Sequence, residues 1–430
     1  MGCRCRLLEP YALKGARTVL RGGAASRDAP LTRLALPLSD PGFDHTVLSE
    51  FRSRLVGGGS EHLLLEALLE RCHRLGLLKA HGNQRSDSTH VLAAVRALNR
   101  LELVQETLRH ALEVLTAAAP DWLRAQALPA WVERYHGRRD AYRLPKSKAA
   151  QRALADTIGA DGATLLGAVS SPAAPPWLRE VPAVETLRQV SVQNYVSTAT
   201  GLRWRTAAEG IPRAAQFISS PYDGDAHLAA KGTTAWIGYK VVLTETCEDD
   251  APNLITHVET VPGPVADGEV TPRVHRALDQ QGRLPRVHLV DTGFLDAELL
   301  VISRRDFGVD LLGPTRKDQR WQARAAGGFG VEQFVIDWDQ QRTICPEGHA
   351  SIQWAPRLDS RGNDSIYVWF AHSDCGPCPS RDRCTRSEAK HPRRSLAIRP
   401  QAQYEALRRR RDQEGYDRDT PERAHAANGR

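Results

Sequence analysis

The sequence VHLVDTGF places a carboxylate directly after an apolar run. Residues 287–290 (VHLV) predict a short strand buried on both faces, and Asp291 follows at its carboxyl end, before Gly293 turns the chain toward a helix. In open α/β sheets, ligand and catalytic groups lie at the carboxyl ends of the strands. A carboxylate desolvated there needs a cation, and a divalent metal ion prefers oxygen ligands. The alternative is that Asp291 caps the following helix.

A second aspartate, Asp87, lies in a similar local sequence, QRSDSTHV, where a predicted strand leads into a helix. The hydroxyls of Ser88 and Thr89 can hold the carboxylate or orient waters on a bound cation. Asp-Ser-Thr is also a common start of a helix, so a capping role for Asp87 stays open. Asp87 and Asp291 are therefore two candidate ligands of one divalent cation site, far apart along the chain.

Four of the eight cysteines fall close together. Cys375 and Cys378 form a Cys-x-x-Cys pair, Cys384 follows six residues later, and Cys345 begins the sequence CPEGH. Four thiolates at such spacing are a typical ligand set of structural zinc, and His349 can replace one of them. The alternative is a group of reduced, partly buried cysteines that bind no metal.

Apolar periodicity indicates the elements that position these residues. Helical patterns dominate the first half, and short β-branched segments alternate with helices in the second, which predicts an α/β fold with a mixed sheet. One such strand is expected to end at Asp223, and helices are expected over 269–281 and 295–306. The predicted parts are a poorly ordered segment at 1–42, a helical N-terminal module at 43–83, an α/β domain at 84–340 with a long helical insertion at about 92–200, a small Cys-rich segment at 341–390, and a C-terminal helix with an irregular tail at 391–430.

The composition is that of an ordinary globular chain, since 41% of the 430 residues are hydrophobic and 25% are charged. Wholesale disorder is therefore excluded. There is no run of 18 apolar residues, and the basic first ten residues lack the apolar core of a signal peptide, so we expect neither a membrane span nor secretion. Eight cysteines without a secretory signal favour a reducing, cytoplasmic compartment. A net charge of +7 permits a nucleic-acid partner without requiring one.

In combination and in this order, several segments resemble the DDE transposases of bacterial insertion sequences. The segments are GFDHTVLSEFRSRLV, QRSDSTHVLAAVRALNRLELV, SPYDGDAHLAAKGTTAWIGYKVVLTETC, LITHVET, HLVDTGF and the cluster CPEGH…CGPC…RDRC. The resemblance extends from about residue 41 to about residue 411. It implies a ribonuclease H-like catalytic domain at 84–340, with Asp87 as the first metal ligand, Asp291 as the second, and a glutamate on a later helix as the third.

The resemblance also implies the chemistry. Two Mg²⁺ or Mn²⁺ ions about 3.5–4 Å apart stabilise the attacking and leaving oxygens of an in-line displacement at phosphorus. Water first frees a 3′-hydroxyl, which then attacks target DNA. The implied partners are the terminal repeats of an insertion sequence and its target DNA, with a homodimer holding two DNA ends at the nucleoid.

Two ligand assignments stay open. A purely local argument favours Asp223, with Asp225 nearby, as the first ligand. The strand expected to end at Asp223 lies much closer in sequence to the next predicted strand than the strand of Asp87 does. The family's glutamate motif has no counterpart after YEALRRRR, and Glu414 or Glu422 would have to replace it from a tail broken by Gly, Asp and Pro. We therefore expect a truncated or frameshifted, degenerate copy of low activity.

Basic residues flank the predicted sheet and can form a phosphate-binding track. They are Lys231, Lys240, Arg316, Lys317 and Arg320, with further arginines at 393–394 and 408–411. Trp321 can stack on exposed bases, whereas Trp236, within a predicted strand, is more typical of a core residue. Two other functions compete with transposition: a DNA-binding remnant without catalysis, and an unrelated metal-dependent nuclease or phosphatase.

Overall fold

The computed structural model describes residues 45–95, 98–135, 144–198 and 201–419. The segment predicted at 1–42 and Glu422 lie outside these residues. Among the helices of the described residues, none is both long and apolar enough to cross a membrane.

The secondary structure alternates between helices and short strands. The helices are α1 His45–Gly57, α2 Leu63–Arg74, α3 Arg100–Ala118, α4 Pro120–Gln126, α5 Pro129–Tyr135, α6 Lys148–Ser170, α7 Pro182–Asn194, α8 Asp267–Gln280, α9 Ala297–Phe307, α10 Trp321–Arg324, α11 His372–Cys375, α12 Arg381–Cys384 and α13 Gln401–Asp419. The strands are β1 Gln84–Leu92, β2 Tyr195–Thr198, β3 Gly201–Trp204, β4 His227–Lys231, β5 Thr234–Thr246, β6 Ile255–Pro262, β7 Val287–Val290, β8 Asp310–Leu312, β9 Val335–Asp337, β10 Arg342–Ile344, β11 Gln353–Leu358, β12 Asp364–Trp369 and β13 Ser395–Ile398. This is the mixed α/β class that the sequence predicts.

The chain divides into two compact units, and β1, β5 and β6 each contribute residues to both. The first unit comprises the described residues up to Glu70, Ser88–Val242 and Glu259–Val265, and the second comprises Arg71–Asp87, Leu243–Val258 and the described residues from Ala266 onward.

The first unit has a helical core in which α3 packs against α6 and α7. Helix α3 begins at Arg100, because Asn99 and Glu102 form a capping box that fixes its start. Residues of β4 pair antiparallel with the first half of β5.

The strand expected to end at Asp223 is absent from this unit. The backbone of Ile218 bonds to a side chain instead of a sheet neighbour, since its N–H donates to Oε1 of Gln193 and its carbonyl accepts from Nε2 of the same residue, each at 3.1 Å. Pro221, three residues later, has no N–H to donate. The segment therefore runs as a short 3₁₀ turn and irregular chain.

The second unit contains the parallel strands β1, β7 and β8 in that order, with β5 on the other side of β1. Helix α8 precedes β7 and helix α9 follows it, close to the predicted helical ranges, and α9 packs against both α8 and α13. Strands β11, β12 and β13 form a separate antiparallel sheet, whose core includes Phe334, Val368 and Phe370.

The tail predicted to be irregular is helical as far as Asp419. Helix α13 continues through Gly415, and Arg410 donates from Nε to the carbonyl of Gly313, at 3.0 Å. Because α13 packs against α9, tertiary contacts outweigh the low helix propensity of this glycine. Glu414 therefore stands on a helix, one turn beyond Arg410.

Candidate functional site

Asp87 and Asp291 belong to adjacent parallel strands of the second unit. Ser86 of β1 pairs with Val290 of β7, and each is followed directly by one of the two aspartates. Neighbouring strands lie about 4.8 Å apart, so this register brings two residues from distant parts of the chain side by side. Both aspartates are exposed.

Strand β7 is buried on one face only, contrary to the prediction from its apolar residues. Leu289 is 41% exposed, whereas His288 is 1% exposed. Side chains alternate along a strand, so Asp291 points to the same face as Leu289 and away from His288. The carboxylates therefore stay hydrated, and the expectation of a desolvated carboxylate is wrong.

The helix-capping alternative does not hold for either aspartate. Helix α9 begins at Ala297 and is capped by Asp296, whose Oδ1 accepts from the N–H of Leu299 at 2.8 Å. Asp87 lies inside β1, and the next helix is capped by Asn99. Asp291 instead closes a tight turn, in which its Oδ1 accepts from the N–H of Gly293 at 2.7 Å. One carboxylate oxygen is thereby oriented by the backbone.

A third carboxylate, which sequence reasoning missed, lies near this turn. A Cβ placed on Gly293 would lie 2.8 Å from Oδ2 of Asp267 and 3.0 Å from Oδ1 of Asp291. Asp267 is the first residue of α8. Its position at the start of a predicted helix suggests only a role at the helix terminus, because its proximity to β7 depends on the packing of α8.

The donors of this region are suited to Mg²⁺ or Mn²⁺ in type, since both prefer carboxylate oxygens. Within the part of the chain that the structure describes, however, no group of three or more His, Cys, Asp or Glu side chains is arranged to hold a metal ion. The pair formed by Asp87 and Asp291 thus fits a divalent cation by chemistry and strand register, but it is not a closed ligand cage.

Asp223 and Asp225 belong to the first unit. Asp223 accepts a hydrogen bond from the hydroxyl of Tyr239 through Oδ1. The structure thus places Asp87 and Asp291 directly after the paired residues Ser86 and Val290, and it holds Asp223 in a separate polar contact.

The predicted DNA-binding residues fall into two groups. Arg316, Lys317 and Arg320 are exposed in the loop after β8, and because β8 is parallel to β7 this loop begins at the sheet edge that carries Asp291. Lys231 is exposed at the end of β4 in the first unit. Lys240, also in that unit, donates to the carbonyl of Val265.

The two tryptophans differ in their surroundings. Trp236 is 7% exposed and donates to the carbonyl of Tyr239, so it is a core residue, as its strand position predicts. Trp321 is partly exposed, and the guanidinium of Arg386 lies 4.2 Å from its ring centroid.

The four clustered cysteines line one small cavity of about 30 Å³. Cys345 lies in a tight turn, in which its carbonyl accepts from the N–H of Gly348 at 2.9 Å. The Sγ of Cys375 accepts from the N–H of Arg394 at 3.4 Å. All four thiols are free and half-buried.

The electrostatics of this cavity disfavour thiolates in the absence of a cation. The pKa of Cys384 is raised to about 11, chiefly by burial; the guanidinium of Arg394 opposes this rise, and the nearby thiols of Cys375, Cys345 and Cys378 add to it. Burial also raises the pKa of Cys375, although the hydrogen bond from Arg394 opposes this. A zinc ion would reverse the balance, because a coordinating thiol loses its proton.

Comparison with known proteins adds a family. Residues 344–429 match the family described as "Transposase DDE domain". No curated protein and no solved structure has significant similarity to the chain. The match covers about a fifth of the chain, from the Cys-rich segment onward. It supports the resemblance that the motifs indicate: over residues 344–429 the chain is similar to a transposase DDE domain.

Proposed function

We propose that the chain is a DNA transposase that cuts and joins DNA at the ends of an insertion sequence by metal-dependent phosphodiester transesterification. The observation that carries this proposal is the register of β1 and β7, which sets Asp87 beside Asp291. The mixed sheet is compatible with the ribonuclease H-like fold of such enzymes, and the family match at 344–429 is independent of the two aspartates.

In this proposal Asp87 and Asp291 hold the cations, and the exposed sheet edge leaves room for a DNA strand. When bound, the cations supply charge stabilisation of the attacking and leaving oxygens. The turn at Gly293 fixes one oxygen of Asp291 and thereby orients the other. Arg316, Lys317 and Arg320 provide positive charge on the loop that begins at the same edge, where the DNA backbone would pass.

We further propose that this chain catalyses strand transfer slowly, as expected of the low-activity copy that the sequence suggests. Two adjacent carboxylates neutralise less cation charge than three, and the third ligand of the family is not assigned. Glu414 stands on α13, which Arg410 joins to the end of β8. Robust turnover by this chain would indicate Glu414 or Glu422 as a substitute.

The Cys-rich segment is proposed to bind one structural zinc through Cys345, Cys375, Cys378 and Cys384. Two observations support this proposal: the four cysteines line one cavity, and the other three raise the pKa of Cys384. Four protein ligands would leave no open position, so the role is structural.

The remaining expectations also stand as proposals. The chain is divided into the five parts given above. It binds both the terminal repeats of the insertion sequence and the target DNA, it is a homodimer when active, and it is located at the nucleoid in the cytoplasm.

A cleavage assay tests the proposed function. Purified protein is incubated with Mg²⁺ or Mn²⁺ and DNA that carries the sequences flanking its gene, and wild type is compared with Asp291→Asn. The control is Asp310→Asn, because Asp310 is an acidic residue at the opposite end of β8 and pairs with Arg304. We expect metal-dependent cleavage that Asp291→Asn abolishes and Asp310→Asn preserves.

Two outcomes would contradict the proposal. End-specific DNA binding without cleavage, unchanged by Asp291→Asn, would favour a catalytically inactive DNA-binding protein. Equal cleavage of unrelated DNA or of small phosphoesters would favour a general nuclease or phosphatase.

A further inference from the structure

A chain of buried polar side chains runs beneath the two aspartates, inside the second unit. His288 of β7 is its centre, because its Nε2 lies 2.8 Å from Oγ of Ser86 and its Nδ1 lies 2.8 Å from Nε2 of His275. Oγ of Ser86 lies 2.7 Å from Oγ1 of Thr244. None of these four residues is more than 5% exposed. The chain thus joins α8 to β7, β1 and β5.

The direction of these hydrogen bonds follows from the one atom that lacks a partner. Nδ1 of His275 is buried and has no hydrogen-bond partner within the part of the chain that the structure describes. A buried N–H without an acceptor is more costly than an unfilled lone pair, so this nitrogen is the unprotonated one. Nε2–H of His275 therefore donates to His288, Nε2–H of His288 donates to Ser86, and Ser86 donates to Thr244.

Both imidazoles are neutral at pH 7. Burial lowers the pKa of His275 to about 4. Burial, together with the neighbouring His275, lowers the pKa of His288 to about 3. A neutral imidazole donates at one nitrogen and accepts at the other, as this chain requires.

The hydrogen bond between His288 and Ser86 links β7 to β1 close to the two aspartates. Ser86 immediately precedes Asp87, and side-chain alternation directs Ser86 into the core while Asp87 faces solvent. His288 points inward three residues before Asp291. The side-chain bond between Ser86 and His288 therefore joins the two strands at the positions that set where both carboxylates emerge.

We propose that the buried chain His275–His288–Ser86–Thr244 is a positioning device that fixes β1 against β7 and thereby sets the separation of Asp87 and Asp291. Apolar packing alone is tolerant of small sliding movements, whereas a series of directional hydrogen bonds between buried side chains specifies one arrangement. His288 is a positioning residue in this scheme, since it acts through its bonds to Ser86 and His275 on the buried face of the sheet. The benefit to metal binding rests on the proposed function, whereas the control of strand register does not.

Two substitutions separate positioning from simple stability. His288→Gln keeps an acceptor for His275 and a donor for Ser86, whereas His288→Leu removes both. Leu278→Ala, on the same helix as His275 and fully buried, is the matched control that loosens the core without breaking the chain. Each variant is measured for thermal unfolding and for Mn²⁺ affinity by electron paramagnetic resonance.

We expect His288→Leu to weaken Mn²⁺ binding by about tenfold or more, as for the loss of an outer partner of a metal ligand. His288→Gln should stay within about threefold of wild type, and Leu278→Ala should lower the melting temperature without a comparable loss of affinity. If Leu278→Ala weakens binding as much as His288→Leu, or if His288→Leu binds as wild type does, positioning is refuted.

A metal-free measurement keeps this proposal distinct from the proposed function. The double variant Asp87→Cys/Asp291→Cys places two thiols on adjacent strands, within reach of a disulfide if the register holds. Mass spectrometry of the linked peptide gives the rate of its formation, which should fall about tenfold when His288→Leu is added and little with His288→Gln. Equal rates would overturn the positioning role, whereas a normal linkage in a protein that binds no Mn²⁺ would overturn only the metal site.

Discussion

Ser86 and Val290 are paired in register on the parallel strands β1 and β7, and the next residue after each of them is an aspartate. Two segments that helices α3 to α8 separate along the chain thereby present Asp87 and Asp291 at one sheet edge. This relationship underlies the proposed cation site, and it leads to specific predictions for substitutions of the residues around that site.

The pairing predicts which aspartate is the first ligand. Asp87→Asn should abolish metal-dependent cleavage and weaken Mn²⁺ binding by at least about tenfold, because a coordinating oxygen is lost. Asp223→Asn should leave Mn²⁺ affinity near the wild-type value, because Asp223 accepts from Tyr239 in the first unit. The opposite pattern in a Mn²⁺ titration of the two variants would transfer the role to Asp223.

Gly293 is predicted to matter for metal affinity more than for stability. In Gly293→Ala the new Cβ would lie 2.8 Å from Asp267 Oδ2 and 3.0 Å from Asp291 Oδ1. Carboxylate ends can rotate away, so unfolding should change little, while the reoriented Asp291 should bind Mn²⁺ about tenfold more weakly. Gly167→Ala is the control, since its Cβ would meet nothing within 4 Å. Unchanged Mn²⁺ affinity in Gly293→Ala would argue against the orientation of Asp291 by this turn.

Local sequence predicts the strand before Asp291 and the flanking helices well, but not the surroundings of the candidate site. VHLV suggests a strand buried on both faces, yet His288 faces inward and Leu289 outward, because Ser86 and His275 from other elements supply hydrogen bonds to the imidazole. The segment before Asp223 is β-like in composition, but the side chain of Gln193 takes the backbone bonds of Ile218. Such contacts depend on distant residues, so periodicity alone cannot reveal them.

The buried histidines predict a loss of stability in mild acid. His275 and His288 have pKa values lowered to about 4 and about 3, below the usual 6.5 of the unfolded chain. Between these values only the unfolded chain binds the protons, so the free energy of unfolding is highest above pH 6.5. It falls on acidification by about 1 kcal/mol per pH unit for each histidine.

Chemical denaturation at pH 7 and pH 5 measures this effect. His288→Gln removes one of the two groups, so its stability difference between the two pH values should be smaller than that of wild type. His62→Gln, at an exposed site, should behave as wild type does. Equal pH dependence in His288→Gln and wild type would show that His288 is protonated in the folded protein.

The cysteine cluster is predicted to hold about one equivalent of zinc. Cys375→Ser should reduce the zinc content to less than half an equivalent and lower the melting temperature, because a ligand of the proposed site is lost and metal binding contributes to folding stability. Cys72→Ser is the control, since Cys72 is buried and does not line that cavity. Elemental analysis of the purified proteins is decisive: zinc below half an equivalent in wild type, or content insensitive to Cys375→Ser, would leave reduced cysteines as the explanation.

The loop after β8 is predicted to carry much of the electrostatic contact with DNA. Arg316, Lys317 and Arg320 are exposed on the loop that begins at the sheet edge of Asp291, so replacing all three by alanine should remove up to three phosphate contacts. The slope of log K against log salt should then become shallower by about 2 to 3, because each contact releases nearly one counterion. The control is Arg304→Ala/Arg305→Ala, since these arginines pair with Asp310 and Asp306. Binding isotherms between about 50 and 200 mM salt distinguish the two sets. A slope that changes equally in both, or in neither, would place the DNA on another face of the protein.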